Sequence, residues 1–214
     1  MVKKIEQQRD DLIGVDVGGT FTDILRFDQK TGKILLAKVS STTKNQAFGV
    51  MNAIFAVKSE LSNVAMIIHG TTTTTNAVLE RKLSRTGLIT TKGFRDCLEL
   101  GRRTRPQPYG MKGHFVPIVP RDLRVEVDER MDFAGRVISP LDESAVRLAG
   151  ERLLKSGVES LVIHFLHSYA NPEHELRAAA ILAEFWPNDF VTMGHSLLSE
   201  SREFERGVTA AVNA

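Results

Sequence analysis

Gly14-Val15-Asp16-Val17-Gly18-Gly19-Thr20-Phe21-Thr22-Asp23 is the stretch that decides the fold. Leu12 to Val17 reads as a buried strand that stops at the Gly18-Gly19 turn. Phe21 to Phe27 resumes in extended form, and Asp28 to Gly32 supplies turn residues before a third strand, Lys33 to Val39. These connections are too short for crossover helices, so the chain opens as an antiparallel meander. An acidic residue near a strand end, followed by two glycines and a threonine, suits phosphate binding. The glycines let backbone N–H groups approach oxygen closely, and Thr20 and Thr22 add hydroxyl donors. Asp16 would repel a phosphate, so its chemistry is that of a magnesium ligand, through water, or a group that orients water. The alternative is a plain hairpin turn that contains Gly-Gly. Two other phosphate loops are excluded, because neither G-x-G-x-x-G nor G-x-x-x-x-G-K-S/T occurs.

Beyond the meander, helix and strand patterns alternate. Gln46 to Glu60 places Phe48, Met51, Ile54, Phe55 and Val57 at helical spacing. Val64 to Ile68 is a short β-rich run, Thr75 to Lys82 a helix begun by Thr and Asn caps, and Thr86 to Thr90 a strand. Residues 101–120, with four prolines, read as a long loop. Val125 to Val127 and Val137 to Ile138 read as the arms of a second hairpin. Leu141 to Ser156 is an amphipathic helix closed by Gly157, and Val158 to Phe165 a buried strand. Pro172 to Phe185 is a helix with Pro in its first turn, Phe190 to Met193 a strand, and Ser199 to Asn213 a final helix. A meander followed by such alternation predicts an α/β fold: one mixed sheet with helices on both faces.

The composition narrows function by exclusion. A net charge of +2 over 214 residues argues against a nucleic-acid binder. The single cysteine, Cys97, forms no internal disulfide and fits a reducing cytoplasm. Residues 1–11 form a tail with no apolar core, and apolar runs such as Val64 to Ile68 fall far short of a membrane span.

A second candidate site lies at His69-Gly70-Thr71-Thr72-Thr73 through Asn76. Hydroxyls and free N–H groups at a helix start can hold an anion or a polarised carbonyl, with His69 as an acid/base group beside them. β-branched strand sequence with an ordinary capped helix is the other reading. His164, His167, His174 and His195 lack zinc-site spacing and read as packing or capping residues. Arg102, with Arg103 and Arg105, is either an anion contact in the long loop or solvated charge. Cys97 has no evident base and reads as a packed thiol.

These blocks together carry a resemblance. The Asp-x-Gly-Gly-Thr turn between two meander strands resembles the phosphate-1 loop of the actin, Hsp70 and sugar-kinase superfamily. The whole opening, followed in order by His69-Gly70-Thr71-Thr72, Thr75 to Arg81, Thr90 to Asp96, His167 to Glu175 and Glu203 to Arg206, is similar to the hydantoinase A and 5-oxoprolinase family.

The resemblance implies a ribonuclease H-like, actin-like ATPase domain over 12–214, ahead of a larger C-terminal ATPase domain, so that this chain alone binds ATP poorly. It implies ATP and magnesium as cofactors, with Gly18, Gly19, Thr20 and Thr22 at phosphate and Asp16 and His69 catalytic. Gly70, Thr71, Thr72, Thr73, Asn76 and Arg102 would contact substrate or phosphate. The implied activity is opening of a cyclic amide, of the hydantoin or 5-oxoproline type, by phosphorylation of a carbonyl oxygen. The matching domain of a ketone carboxylase, or a non-catalytic nucleotide-binding scaffold, would carry the same blocks. Implied partners are the cyclic amide, the missing C-terminal domain and a B-type subunit, with neither nucleic acid nor membrane.

Overall fold

The computed structural model describes residues 9–42, 45–101, 109 and 116–214. The chain divides into two compact units, Met1–Lys82 and Leu83–Ala214.

The first unit opens with the expected meander. β1 (Asp11–Val17), β2 (Phe21–Asp28) and β3 (Ile34–Ser40) pair antiparallel in sequence, and β4 (Val64–Thr71) adds parallel to β1, giving the order β3-β2-β1-β4. Strand alternation divides the sheet into two faces. Ile13, Val15, Val17 and Ile24 are buried with α1 (Gln46–Ala56), while Leu25, Leu36, Met66 and Ile68 point to the opposite, solvent-exposed face. Asn45 caps α1, its side chain accepting from the Ala47 N–H at 3.0 Å. Ile54 and Val57 are buried as their spacing predicts, together with Ala53, but Phe48 and Phe55 are exposed. β4 continues past Ile68 through Thr71, because Thr71 still pairs in register with Val17. α2 (Thr73–Leu79) follows, two residues earlier than its sequence pattern places it.

The second unit has its own parallel sheet, so the strands form two four-stranded sheets and one two-stranded hairpin where one mixed sheet is the expectation. β5 (Thr86–Thr91), β6 (Arg124–Val127), β9 (Ser160–His164) and β10 (Val191–Met193) lie in the order β10-β9-β5-β6. α3 (Cys97–Leu100) follows β5. The second hairpin differs from its expected arms. β7 (Arg130–Met131) pairs with β8 (Val137–Ser139), and Val125–Val127 is instead committed to β5. Its short 124–127 run is buried at both ends and forms the edge strand beside β5, whereas Asp132 supplies the turn, accepting from Ala134 and Arg136 N–H groups at 2.9 Å.

Helices cover both faces of this sheet. α4 (Glu143–Lys155), capped by Asp142, packs on the Gly87 side, where a Cβ on Gly87 would meet Leu153 Cδ2 at 3.0 Å. α5 (Glu173–Ala183) packs against α4 through Gly150, whose Cβ would come within 2.4 Å of Leu182 Cδ2. α6 (Gly194–Leu197) and α7 (Glu203–Asn213) cover the His164 side. The final helix thus begins at Glu203, and the segment from Ser199 to Arg202 is not helical.

Candidate functional site

The Gly18–Thr20 turn is built from beneath. The Gly18 N–H donates to Phe21 O at 2.9 Å, and a Cβ on Gly18 would stand 3.0 Å from that same oxygen, so the turn needs a glycine there. The Ser41 hydroxyl donates to Gly18 O at 2.8 Å and lies 2.9 Å from Thr22 Oγ1, while the Ser41 N–H donates to Thr20 O at 2.9 Å. Thr22 is completely buried, and its hydroxyl serves the turn from inside. The Gly19 and Thr20 N–H groups have no acceptor among the described residues. Two successive free N–H groups on a rigid turn are a natural oxyanion cradle.

Gly18, Gly19 and Thr20 line a cavity of about 460 Å³ together with Thr42, Thr73 and Asn76. The Asn76 amide reaches over the turn, since a Cβ on Gly19 would sit 3.6 Å from its Nδ2. Gln46 Nε2 donates to Thr73 Oγ1 at 2.7 Å, and the Thr71 hydroxyl lies 2.9 Å from Thr73 Oγ1 and 3.2 Å from Val17 O. Thr71 and Thr73 therefore brace β4 and α2 against β1. Thr72 is exposed, and its N–H donates to Val17 O at 3.3 Å. At the cavity rim Lys82 Nζ stands 2.6 Å from Glu80 Oε2, which raises the ammonium's pKa through that hydrogen bond.

Asp16 lies on the other face of the sheet. It is in register with Asp23 on β2 and Gly70 on β4, and all three line a second cavity of about 450 Å³ with an apolar floor of Leu25, Leu36 and Ile68. Lys38 Nζ neutralises Asp23 at 3.1 Å. A Cβ on Gly70 would lie 3.8 Å from Asp16 Oδ1, so the glycine leaves room at the carboxylate. Two exposed neighbouring carboxylates suit a mostly hydrated magnesium ion, and no group of three or more metal-binding side chains occurs among the described residues. His69 is in register with Val15 and projects to the α1 face. The sheet therefore separates the side chains of Asp16 and His69.

Ser41, Thr42, Gln46, Glu80 and Lys82 at the cavity are not legible as site residues from local pattern. The one signal is the hydroxyl-rich Ser40-Ser41-Thr42-Thr43 run before α1. Arg102 lies outside the described residues, as do Arg103 and Arg105.

In the second unit the histidines are packing groups. His174 Nδ1 lies 2.8 Å from Glu129 Oε2, and His195 Nδ1 lies 2.6 Å from Glu175 Oε2. Burial pushes the His164 imidazole down to about 4. Arg206, fully buried, donates to Phe165 O at 3.2 Å, Ser168 Oγ at 3.2 Å and Glu203. Burial raises the Cys97 thiol pKa, consistent with a packed residue.

The profile of the hydantoinase/oxoprolinase N-terminal region matches residues 12–186. The chain belongs to that family. Relatives of this hydantoinase/oxoprolinase domain include the acetophenone carboxylase gamma subunit of Aromatoleum aromaticum, 33% identical over 94% of this chain and 30% of the relative. A nucleotide-free acetone carboxylase structure superposes with a TM-score of 0.85 at 28% identity, covering 96% of this chain and 32% of that one. The ATP-dependent caprolactamase of Pseudomonas jessenii gives 0.78 at 32% identity, covering 95% and 31%. The hydantoinase/oxoprolinase domain thus spans about 30% of the length of these relatives. No described helix is long and apolar enough to cross a membrane.

Proposed function

We propose that the chain is the N-terminal, ribonuclease H-like part of an ATP-dependent hydrolase that opens a cyclic amide by phosphorylating its carbonyl oxygen. The observation that carries this reading is the Gly18-Gly19-Thr20 turn, which lines a cavity of about 460 Å³ and whose Gly19 and Thr20 N–H groups have no acceptor among the described residues. The β3-β2-β1-β4 order, with the turn between the two central antiparallel strands, supports the actin-like assignment.

In this reading the Gly19 and Thr20 N–H groups, Thr42 and Asn76 bind phosphate oxygens. Ser41 and Thr22 keep the turn rigid, so little reorganisation accompanies binding. Asp16, beside Asp23, would hold magnesium through water. Bound ATP supplies the phosphoryl group that activates an otherwise stable amide. His69, across the sheet from Asp16, is assigned to substrate contact with Thr72 rather than to the Asp16 reaction centre, beside which Gly70 lies.

The open sheet face, where Leu36 is 73% and Ile68 68% exposed, supports a partner role for the additional polypeptide that the relatives possess. A B-type subunit is a further proposed partner, and the single cysteine supports a cytoplasmic setting.

The acetone carboxylase superposition favours a second reading, the matching domain of a ketone carboxylase. The test is ATP hydrolysis by the full-length protein with hydantoin, 5-oxoproline, caprolactam and acetone. Stimulation by a cyclic amide supports the first reading, stimulation by acetone alone supports the second, and no turnover with any of them leaves a nucleotide-binding scaffold. An Asp16→Asn variant with full activity would remove Asp16 from the magnesium role.

A further inference from the structure

Beside β6, in the second unit, four arginines from four separate segments converge. Arg95 follows β5, Arg121 precedes β6, Arg124 begins β6 and Arg152 lies in the last turn of α4. They line a cavity of about 540 Å³ together with Asp122 and Glu126.

Two of the arginines are engaged. Arg121 forks onto Asp96, with Nε at 3.1 Å and Nη2 at 2.9 Å from its carboxylate oxygens. Arg124 Nη1 lies 2.8 Å from Glu99 Oε2, and its Nε donates to Val119 O at 3.0 Å. The Arg124 side chain is 0% exposed, yet its Nη2 has no hydrogen-bond partner. A buried guanidinium with unmet donors is unfavourable until an acceptor reaches it.

The other two are not neutralised. Neither Arg95 nor Arg152 forms an ion pair with a described residue. The nearby carboxylate, Glu126, spends Oε1 on the N–H groups of Gly93 at 2.7 Å and Arg95 at 3.4 Å. The cavity therefore combines two arginines outside any ion pair with a buried unmet donor, and guanidinium forks match phosphate and carboxylate oxygens.

We propose that this cavity binds a small dianion bearing phosphate or carboxylate oxygens, held by Arg95 and Arg152 with Arg124 behind them. The site shares no residue with the nucleotide reading and does not depend on it.

The test is calorimetric titration of the 214-residue protein at low ionic strength with inorganic phosphate and, separately, with succinate. The expected result is saturable binding of at least one probe, and the probe that binds names the oxyanion class. Arg95→Gln and Arg152→Gln should each weaken that binding about tenfold or more, the size expected for a charge-assisted contact. Arg136→Gln, which removes an exposed arginine outside the cavity, should leave it unchanged. Melting curves establish that each variant is folded. No saturable binding of either probe, or affinity unchanged in both cavity variants, overturns the proposal.

Discussion

Gly207 on α7 packs directly against His164 at the end of β9: a Cβ on Gly207 would stand 2.9 Å from His164 Cδ2 and 2.5 Å from Leu98 Cδ2. Both neighbours are buried, so neither has free volume to retreat into. Gly207→Ala should therefore destabilise the protein by about 1–3 kcal/mol, the usual range for overpacking. Chemical denaturation of the variant checks this. His164→Ala in the same chain should recover part of the loss, because it vacates one of the two clashing positions.

Acid should weaken the second unit through His164. Its imidazole has an ordinary pKa of 6.5 but about 4 when buried in the folded protein. Between those values the unfolded chain binds the proton and the folded one does not, so stability falls as pH drops from 6.5 towards 4. The full effect is about 3 kcal/mol. Burial raises the Glu203 carboxyl, which acts in the opposite sense and offsets part of the slope. Urea midpoints measured from neutral pH downward should show the loss, and His164→Gln should flatten the curve in that window.

The Ser41 hydroxyl joins Gly18 O to the buried Thr22 hydroxyl. Ser41→Ala leaves Thr22 Oγ1 buried without its partner and should destabilise the first unit by about 1–3 kcal/mol. In the full-length protein the same change should weaken nucleotide binding, because the turn loses its brace. A Thr22→Val, Ser41→Ala double variant should recover stability but not affinity, and equal loss of both would contradict the division of roles.

Gly18→Ala puts a Cβ 3.0 Å from Phe21 O, which the antiparallel pair cannot easily yield. Nucleotide affinity of the full-length protein should fall at least about tenfold, with the melting temperature lowered only modestly. Fluorescent-nucleotide titration beside a thermal melt separates the two effects.

Much of this was legible in the chain. Asp28 to Gly32 leaves no length for a crossover, so β2 and β3 had to be antiparallel whatever the rest of the fold did. Alternation in Leu12 to Val17 set which side chains face α1, and Gly18-Gly19 fixed where the strand turns. Val125 to Val127 is as β-prone as any hairpin arm, so local pattern alone pairs it with the strand that in fact closes the hairpin at 130–139. Its pairing with β5 is a contact across more than thirty residues that no local pattern records.

What the sequence determined by itself, then, is the meander, its phosphate-suited turn and the family, since all three rest on short-range geometry and ordered motifs. Tertiary structure decided the rest. It split the strands into two four-stranded sheets and a separate hairpin, buried Thr22 beneath the turn, brought Ser41, Thr42 and Asn76 around Gly19, and set Asp16 and His69 on opposite faces. The physical reason is register. β4 lies beside β1 only after α1 has folded back over the sheet, and one residue of offset along a strand reverses the face to which a side chain points.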